Sequence, residues 1–373
     1  MPENKVKQFV FLSWKDITHP EAGGAEIVHQ EISKRLVKDG NRVIHLVPGY
    51  QNCAQLDTVD GVVIIRIGRS VLSFYSLPFY YRKHLRFTTD YLIDVFCCFG
   101  SFGCLLGASK KTFLFVHHIQ DRIWFLQTTP PFIFPLNYVG WALEKIQLWL
   151  LSVFFKGEII TVSESTKDEL ITYGLKQNTT IISEGTHIEP LKTLNSLESK
   201  NVEFTVLFLG RLNKMKQALE AVKAFTLFNK QYPNSKMLVA GNGSERQNID
   251  NFIIANDMQE KIDMLGRVDD KAKIELLQKS HLLLVTSIKE GWGLVVTEAN
   301  SQGTPCLTYN APGLRDSNKG GLITTQNTPE NLAELITKVH ASPSLYNQIR
   351  EESFEHSKTV TFDQEYQDFI RLL

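Results

Sequence analysis

Short apolar runs alternate with helical patterns almost from end to end of this chain. Runs at 9–12, 43–47, 62–67, 113–116 and 159–162 are rich in β-branched and aromatic residues. They predict strands that are apolar throughout and buried on both faces. Between the first two, over 26–38, Ile27, Val28, Ile32, Leu36 and Val37 recur at helical spacing, and Gly40 follows as a stop. A strand–loop–helix–strand unit of this kind is the sign of a parallel sheet. Residues 190–203 are polar without a strand signal and predict a linker. The pattern then restarts, with strands at 204–209, 237–240, 262–265, 282–285 and 305–308 and a helix at 219–228. The reading is α/β: two Rossmann-like domains, which facing one another would make a cleft, with ligands beyond the carboxyl ends of the strands.

Composition narrows this little. At 373 residues, 43% hydrophobic and 21% charged, the chain has the make-up of a folded two-domain protein. Lys plus Arg equals Asp plus Glu at 40 each, so no global field draws nucleic acid or an anionic membrane, which leaves room only for a local basic patch. The five cysteines, Cys53, Cys97, Cys98, Cys104 and Cys306, fit neither a disulfide framework nor a zinc site, and reduced cytosolic thiols are expected. The N-terminus reads as a first strand, not a signal peptide, and no apolar run reaches the roughly 20 residues needed to cross a bilayer. The expected location is cytoplasmic.

Candidate chemistry sits at the strand ends. Gly23-Gly24-Ala25-Glu26 opens the first helix, where backbone N–H groups and the helix dipole favour an anion. Gly210-Arg211 follows the strand at 204–209, with Lys216 beyond; both cations suit a phosphate. Asn242, in the turn Gly241-Asn242-Gly243-Ser244, and Val268, after Gly266-Arg267, lie in two further strand-end turns. Each of these is also explained by a plain βα turn or a solvated loop. The strongest motif is Glu290-Gly291-Trp292-Gly293-Leu294-Val295-Val296-Thr297-Glu298. Its glycines permit a loop whose N–H groups face a diphosphate, and a helix from Leu294 adds its dipole. Helical spacing would put the two glutamates on a similar side, Glu298 suiting the vicinal diol of a ribose and Glu290 the sugar end.

Together these residues resemble retaining glycosyltransferase family 4, which has the two-domain GT-B fold. The resemblance runs in order through SWKDITHPEAGGAE, VHHIQD at 116–121, TVSESTKDELITYG at 161–174, GRLNKMK at 210–216, EGWGLVVTEANSQGTP at 290–305 and APGLRDS with GGLI at 311–323. It implies domains at 1–190 and 204–355, a linker at 191–203, and a segment at 356–373 returning to the first domain. The helical stripe Tyr366, Phe369, Ile370 and Leu373 fits that return. It implies a nucleotide-sugar-dependent hexosyltransferase of glycan biosynthesis, with a UDP- or GDP-sugar as donor substrate, no cofactor and no metal; no Asp-x-Asp pair is present. It implies His117 near the transferred sugar, with His118 the ambiguous neighbour. Arg211 and Lys216 would neutralise the leaving diphosphate, Glu290 contact the sugar, Glu298 the ribose, and Val268 the base through its backbone. Gln217 and Trp292 depart from the family's usual Gly and Phe.

The expected acceptor is a hydroxyl of a glycan, lipid-linked or small-molecule acceptor. Aromatic and basic residues interleave over 71–87, and 130–155 is apolar with Trp141 and Trp149. An amphipathic helix packed on its own domain explains such stripes; contact with the inner face of a membrane is the alternative. Two rival classes stand beside the transferase: a non-catalytic nucleotide-sugar-binding protein, and a nucleotide-sugar epimerase or inverting transferase on the same fold.

Overall fold

The computed structural model describes residues 6–69, 71–97, 99–106, 109–126, 135–176, 178–194 and 200–373. Cys98, the stretch 130–134 and part of the expected linker, 195–199, lie outside the described residues. The chain divides into two compact units, one of Met1–Glu184 with Phe362–Leu373, the other of Gly185–Thr361.

The first unit runs β1 (Gln8–Leu12), α1 (Gly24–Lys38), β2 (Arg42–Pro48), β3 (Leu56–Val59), β4 (Val62–Ile67), α2 (Leu77–His84), β5 (Tyr91–Cys97), α3 (Gly103–Leu106), β6 (Lys111–His118), α4 (Leu136–Phe154), β7 (Glu158–Thr161), α5 (Glu164–Thr172) and β8 (Thr179–Ile181). Its strands lie in the order β3-β4-β2-β1-β5-β6-β7-β8, parallel except for β3 against β4. The central strands are buried on both faces, as their unbroken apolar runs predict: every residue of β1 is buried. Strand β4 corrects that expectation. Its burial alternates, and Arg66 interrupts the apolar run yet is fully buried, because its guanidinium meets the Asp16 carboxylate with Nε–Oδ2 at 2.8 Å and Nη2–Oδ1 at 3.0 Å.

The second unit runs β9 (Phe204–Leu209), α6 (Ala218–Asn229), β10 (Ser235–Ala240), α7 (Arg246–Ala255), β11 (Ile262–Gly266), α8 (Asp270–Lys279), β12 (Leu282–Val285), α9 (Leu294–Ser301), β13 (Cys306–Thr308), α10 (Leu314–Ser317), β14 (Leu322–Ile323), α11 (Pro329–His340) and α12 (Pro343–Ser357). Its sheet is wholly parallel, in the order β11-β10-β9-β12-β13-β14. The strand order reverses at β1/β5 in one unit and β9/β12 in the other, and at such switch points the strand ends diverge to leave room for a ligand.

The last helix, α13 (Phe362–Ile370), belongs to the first unit. Its Tyr366 hydroxyl donates to Asp39 at 2.6 Å, Arg35 pairs with Asp363 at 2.8 Å, and Phe369 is buried beside Phe113. The unit boundaries differ from 190 and 356. Ile188 packs into the second unit's core, Gln302 donates to the Glu189 carbonyl at 2.9 Å, and the Leu191 N–H reaches the Ser301 carbonyl at 3.1 Å. The end of the expected linker is held too: the buried ammonium of Lys200 donates to the Ser280 carbonyl and the Thr304 hydroxyl, each at 2.7 Å. At the other end α12 continues through Ser357, which is buried.

The expectation that 71–87 and 130–155 pack on their own domain holds for one side of each helix. Leu77 and Tyr81 of α2 and Leu148 and Leu151 of α4 are buried, whereas Phe79, Phe87, Ile146 and Trp149 are exposed.

Candidate active site

At the carboxyl end of β9 the chain leaves the sheet as Gly210-Arg211. The neighbouring strand ends are stitched to it: the Gly210 N–H donates to the Ala240 carbonyl at 3.0 Å, Leu212 to Asn242 at 2.9 Å, and Gly241 to Gly266 at 2.7 Å. This close approach requires glycine at 241, where a Cβ would lie 1.8 Å from the Gly210 carbonyl oxygen. The exposed Arg211 and Asn242 sit on this platform. Lys216 follows in a turn closed by the Asn213 side chain, which accepts the Lys216 N–H at 3.0 Å.

The Lys216 ammonium makes an ion pair with the Glu290 carboxylate. Glu290 is placed by the loop between β12 and α9, whose Ile288 N–H reaches the Met215 carbonyl at 2.9 Å. The Glu290 N–H donates to Pro312 at 3.0 Å, and Gly313 fits beneath, where a Cβ would meet the Glu290 carbonyl oxygen at 2.4 Å. Glu290 therefore lies in a loop, four positions ahead of α9, and the helical spacing expected between Glu290 and Glu298 does not apply. Gly293, with φ 98°, caps α9, so Leu294 and Val295 bring free N–H groups to the same loop. Trp292 is buried and donates its indole N–H to the Thr297 hydroxyl at 3.0 Å.

Glu298 is nearly buried on the first turns of α9 and carries a second cationic cluster. Lys273 reaches its Oε1 at 3.0 Å and His187 Nδ1 lies 3.6 Å from the same oxygen. Asp270 faces the other side of His187 at 3.5 Å. Partial burial raises the Asp270 pKa, but Lys273 and His187 outweigh it and hold the carboxyl below its ordinary value. Val268, half-buried at the end of β11, packs against the core of this unit.

In the first unit, Gly23 caps α1 and its N–H donates to the Glu26 carboxylate at 2.7 Å. His117, at the end of β6, is buried with both ring nitrogens engaged: Nδ1 lies 2.7 Å from Glu184 Oε1, and Nε2 lies 2.9 Å from His29 Nε2. Glu184 and His29 are buried as well. Burial, then the neighbouring His117 and His45, push the His29 pKa well below its ordinary value. His29 is thus neutral, and its Nδ1 is a buried ring atom without a partner among the described residues. His118 is half-buried beside it on β6.

Residues 192–356 match the family described as Glycosyl transferases group 1, and residues 22–189 match Glycosyltransferase Family 4. The chain belongs to glycosyltransferase family 4. Among its relatives is an uncharacterized glycosyltransferase of Haemophilus influenzae, 25% identical over 339 residues that span 89% of this chain and 91% of the relative. The fold is that of sucrose-phosphate synthase from Thermosynechococcus elongatus, at TM-score 0.76 and 16% identity, covering 98% of each chain. HepE of Anabaena, solved with UDP and glucose, superposes at TM-score 0.70 and 16% identity over 98% of this chain and 99% of its own. The architecture is accordingly GT-B, two Rossmann-like domains with parallel sheets.

Within this glycosyltransferase the fold gathers Gly210, Arg211, Lys216, Glu290 and the 291–295 loop at the β9/β12 switch point, with Glu298 one turn along α9. Lys273 and His187 were invisible to motif reading because neither falls in a glycine-rich turn. His29 lay within the apolar stripe of α1, next to Val28, where a histidine between core positions is the one sign of a buried polar contact. Glu184, the residue before Gly185, gave no comparable sign.

Proposed function

We propose that this enzyme moves a hexose-type sugar from a UDP- or GDP-sugar to a hydroxyl of a glycan, lipid-linked or small-molecule acceptor, with retention at the anomeric carbon and without a metal. The observation that carries the reading is the Lys216–Glu290 pair at the β9/β12 switch point, beside Arg211 and the N-terminus of α9. A departing nucleoside diphosphate develops negative charge, and fixed cations and helix-end N–H groups stabilise it without reorganisation. Arg211, Lys216 and the N–H groups of 291–295 are assigned to the diphosphate, with Gly210, Asn242, Gly23 and Gly24 leaving room for it. Phosphate oxygens compete with Glu290 for Lys216, which frees the Glu290 carboxylate for sugar hydroxyls. Glu298 is assigned to the ribose diol and the Val268 backbone to the base. His117 is assigned to the transferred sugar, whose hydroxyl would have to displace His29 from its Nε2, with Glu184 accepting its Nδ1–H and fixing the tautomer. That HepE was solved with UDP and glucose supports a uridine donor.

For retention we favour a front-face route, in which a donor phosphate oxygen takes the acceptor proton. Trapping of a glycosyl group on an enzyme carboxylate would count against it. The enzyme's place is the cytoplasm.

The donor reading is tested by thermal shift against UDP, GDP and their sugars. Binding at about 100 times Kd stabilises by roughly 2.7 kcal/mol, and Lys216→Met should remove most of that gain. Transfer should be unchanged by EDTA. The reading fails if no nucleotide or nucleotide sugar shifts the melting of the wild-type protein.

A further inference from the structure

Helix α4 is nineteen residues long, and only one side of it is packed. Gly140, Glu144, Gln147, Leu148 and Leu151 are buried, and Glu144, the helix's sole carboxylate, accepts the Gln120 N–H at 2.7 Å and the Trp124 indole at 3.0 Å. The other side exposes Leu136, Val139, Leu143, Ile146 and Val153, at alternating spacings of three, four and seven, flanked by Tyr138, Trp149 and Phe154. Trp149 and Phe154 each expose 60% of their surface. At its N-terminal end the stripe continues onto the half-exposed Phe125, whose ring lies 4.7 Å from that of Tyr138. A monomeric surface rarely leaves so continuous an apolar strip in water.

The exposed charges at the two ends of this strip are basic. Arg122 and Lys156 are exposed at its two ends, and Lys145 lies along it, bonded to Asp121. Helix α2 adds to the same layer. Leu77 and Tyr81 pack on Val10, Leu12 and Leu92, while Leu148 and Leu151 pack on Phe96, Leu114 and Val116. The strand registers Val10↔Leu92 and Phe96↔Val116, with the two-residue period of a strand, put all of these on one face of the sheet. On its outer side α2 exposes Phe79, Arg82, Lys83 and His84, has no acidic residue, and is followed by Phe87, 89% exposed with the Arg86 guanidinium 5.3 Å from its ring. In a chain of zero net charge this layer concentrates cations and aromatics.

We infer that this face, the outer sides of α4 and α2, seats the enzyme on an anionic lipid bilayer. Apolar and aromatic side chains enter the boundary between headgroups and acyl chains, and Arg82, Lys83, Arg122 and Lys156 meet lipid phosphates. Helix α4 lies along the surface and does not span it: among the described residues no helix is long and apolar enough to cross a membrane. A second copy of the chain is the poorer occupant, because two-fold pairing would set the same cations opposite one another with no exposed carboxylate of α4 or α2 to answer them. The inference rests on the transferase reading only in that a membrane would then present a lipid-linked acceptor.

The test is flotation of the full chain with vesicles of equal parts phosphatidylglycerol and phosphatidylcholine, and with pure phosphatidylcholine, at low ionic strength. The expected result is co-flotation with the anionic vesicles alone. Ile146→Glu with Trp149→Glu should reduce it about tenfold or more, and Arg82→Glu with Lys83→Glu should do so independently. Both double variants change exposed side chains, and an unaltered nucleotide thermal shift in them separates a lost membrane contact from a lost donor site. Wild-type protein that stays at the bottom of the gradient overturns the inference, and so does equal flotation with neutral vesicles. A lipid-free wild-type dimer that Ile146→Glu converts to monomer, without flotation, would overturn it in favour of an interface between copies.

Discussion

Gln217 stands directly after Lys216 with φ 48°, in the left-handed region that a residue with a Cβ enters at a cost. The Thr286 hydroxyl holds the turn there, donating to the carbonyls of Lys216 and Gln217 at 3.0 and 2.9 Å. The departure from glycine noted in the sequence thus falls where the backbone asks for glycine, and the surrounding hydrogen bonds enforce the geometry. Gln217→Gly relieves the strain but adds freedom to the unfolded chain, so the net gain is about 0.5–1 kcal/mol. Urea unfolding should show a raised midpoint with an unchanged slope. A lowered midpoint would mean that the Gln217 side chain contributes more than its backbone costs.

The loop between β1 and α1 shows how an element is fixed from outside itself. Asp16 bends it by accepting the Thr18 N–H at 2.9 Å, and Arg66, from β4, clamps both through Asp16 and the Thr18 hydroxyl at 2.7 Å. Burial raises the Asp16 pKa, but Arg66 and Thr18 overcome it and hold the carboxyl below its ordinary value. Asp16→Asn leaves the buried guanidinium with only the more distant Asp57 carboxylate, at 3.4 Å, and should destabilise by about 3 kcal/mol, read by chemical unfolding. Asp16→Leu with Arg66→Met should recover most of the loss; a double variant no better than the single would sink the account. Such a pair was hidden in the sequence, since a lone arginine in VVIIRI reads as a blemish in a strand and Asp16 as loop decoration. The same limit explains what else was missed. Central strands and the helices α1 and α6 were legible because burial on one or both faces imposes a period. Strand β5 was not, because its apolar run continues through glycines into the next turn, and the edge strands β3, β8 and β14 are too short and too exposed to carry a pattern. In the site, glycine turns and lone cations were readable as the ends of strands. Partners such as Lys273, His187, His29 and Glu184 become visible only when the fold brings them to Glu298 and His117.

With equal numbers of acidic and basic side chains, the whole molecule carries no net charge near pH 7, so self-repulsion is small as pH begins to fall. Its pH dependence falls instead on neutral histidines, buried in the first unit and half-buried in the second. In the first, burial, opposed by Asp16, lowers the His45 pKa to about 4, and the ring sits 2.7 Å from the Ser33 hydroxyl. His29 is lowered in the same direction, well below its ordinary value. In the second, burial, then Lys200, His340 and Arg350, lower His281 to about 4, and its neutral Nδ1 accepts the Thr205 N–H at 3.0 Å. A depressed histidine refuses a proton that the unfolded chain accepts. Stability is therefore complete above the unfolded value of about 6.5, falls as pH drops below it, and levels off beneath the folded value. His45 alone should remove about 1.5 kcal/mol between pH 6.5 and 5, the slope rising toward about 1.4 kcal/mol per unit as the unfolded ring becomes fully protonated. The lowered carboxylates Asp16 and Asp270 act in a separate window, since their protonation begins near the ordinary carboxylate value and lies below this range. Urea unfolding at pH 7, 6 and 5 should show the midpoint falling through this window, with a shallower fall in His45→Gln once its own baseline at pH 7 is subtracted. A stability that stays flat from pH 7 to 5 would mean that these rings are charged in the folded protein, which the packing of His29 and His45 around Phe11 does not accommodate.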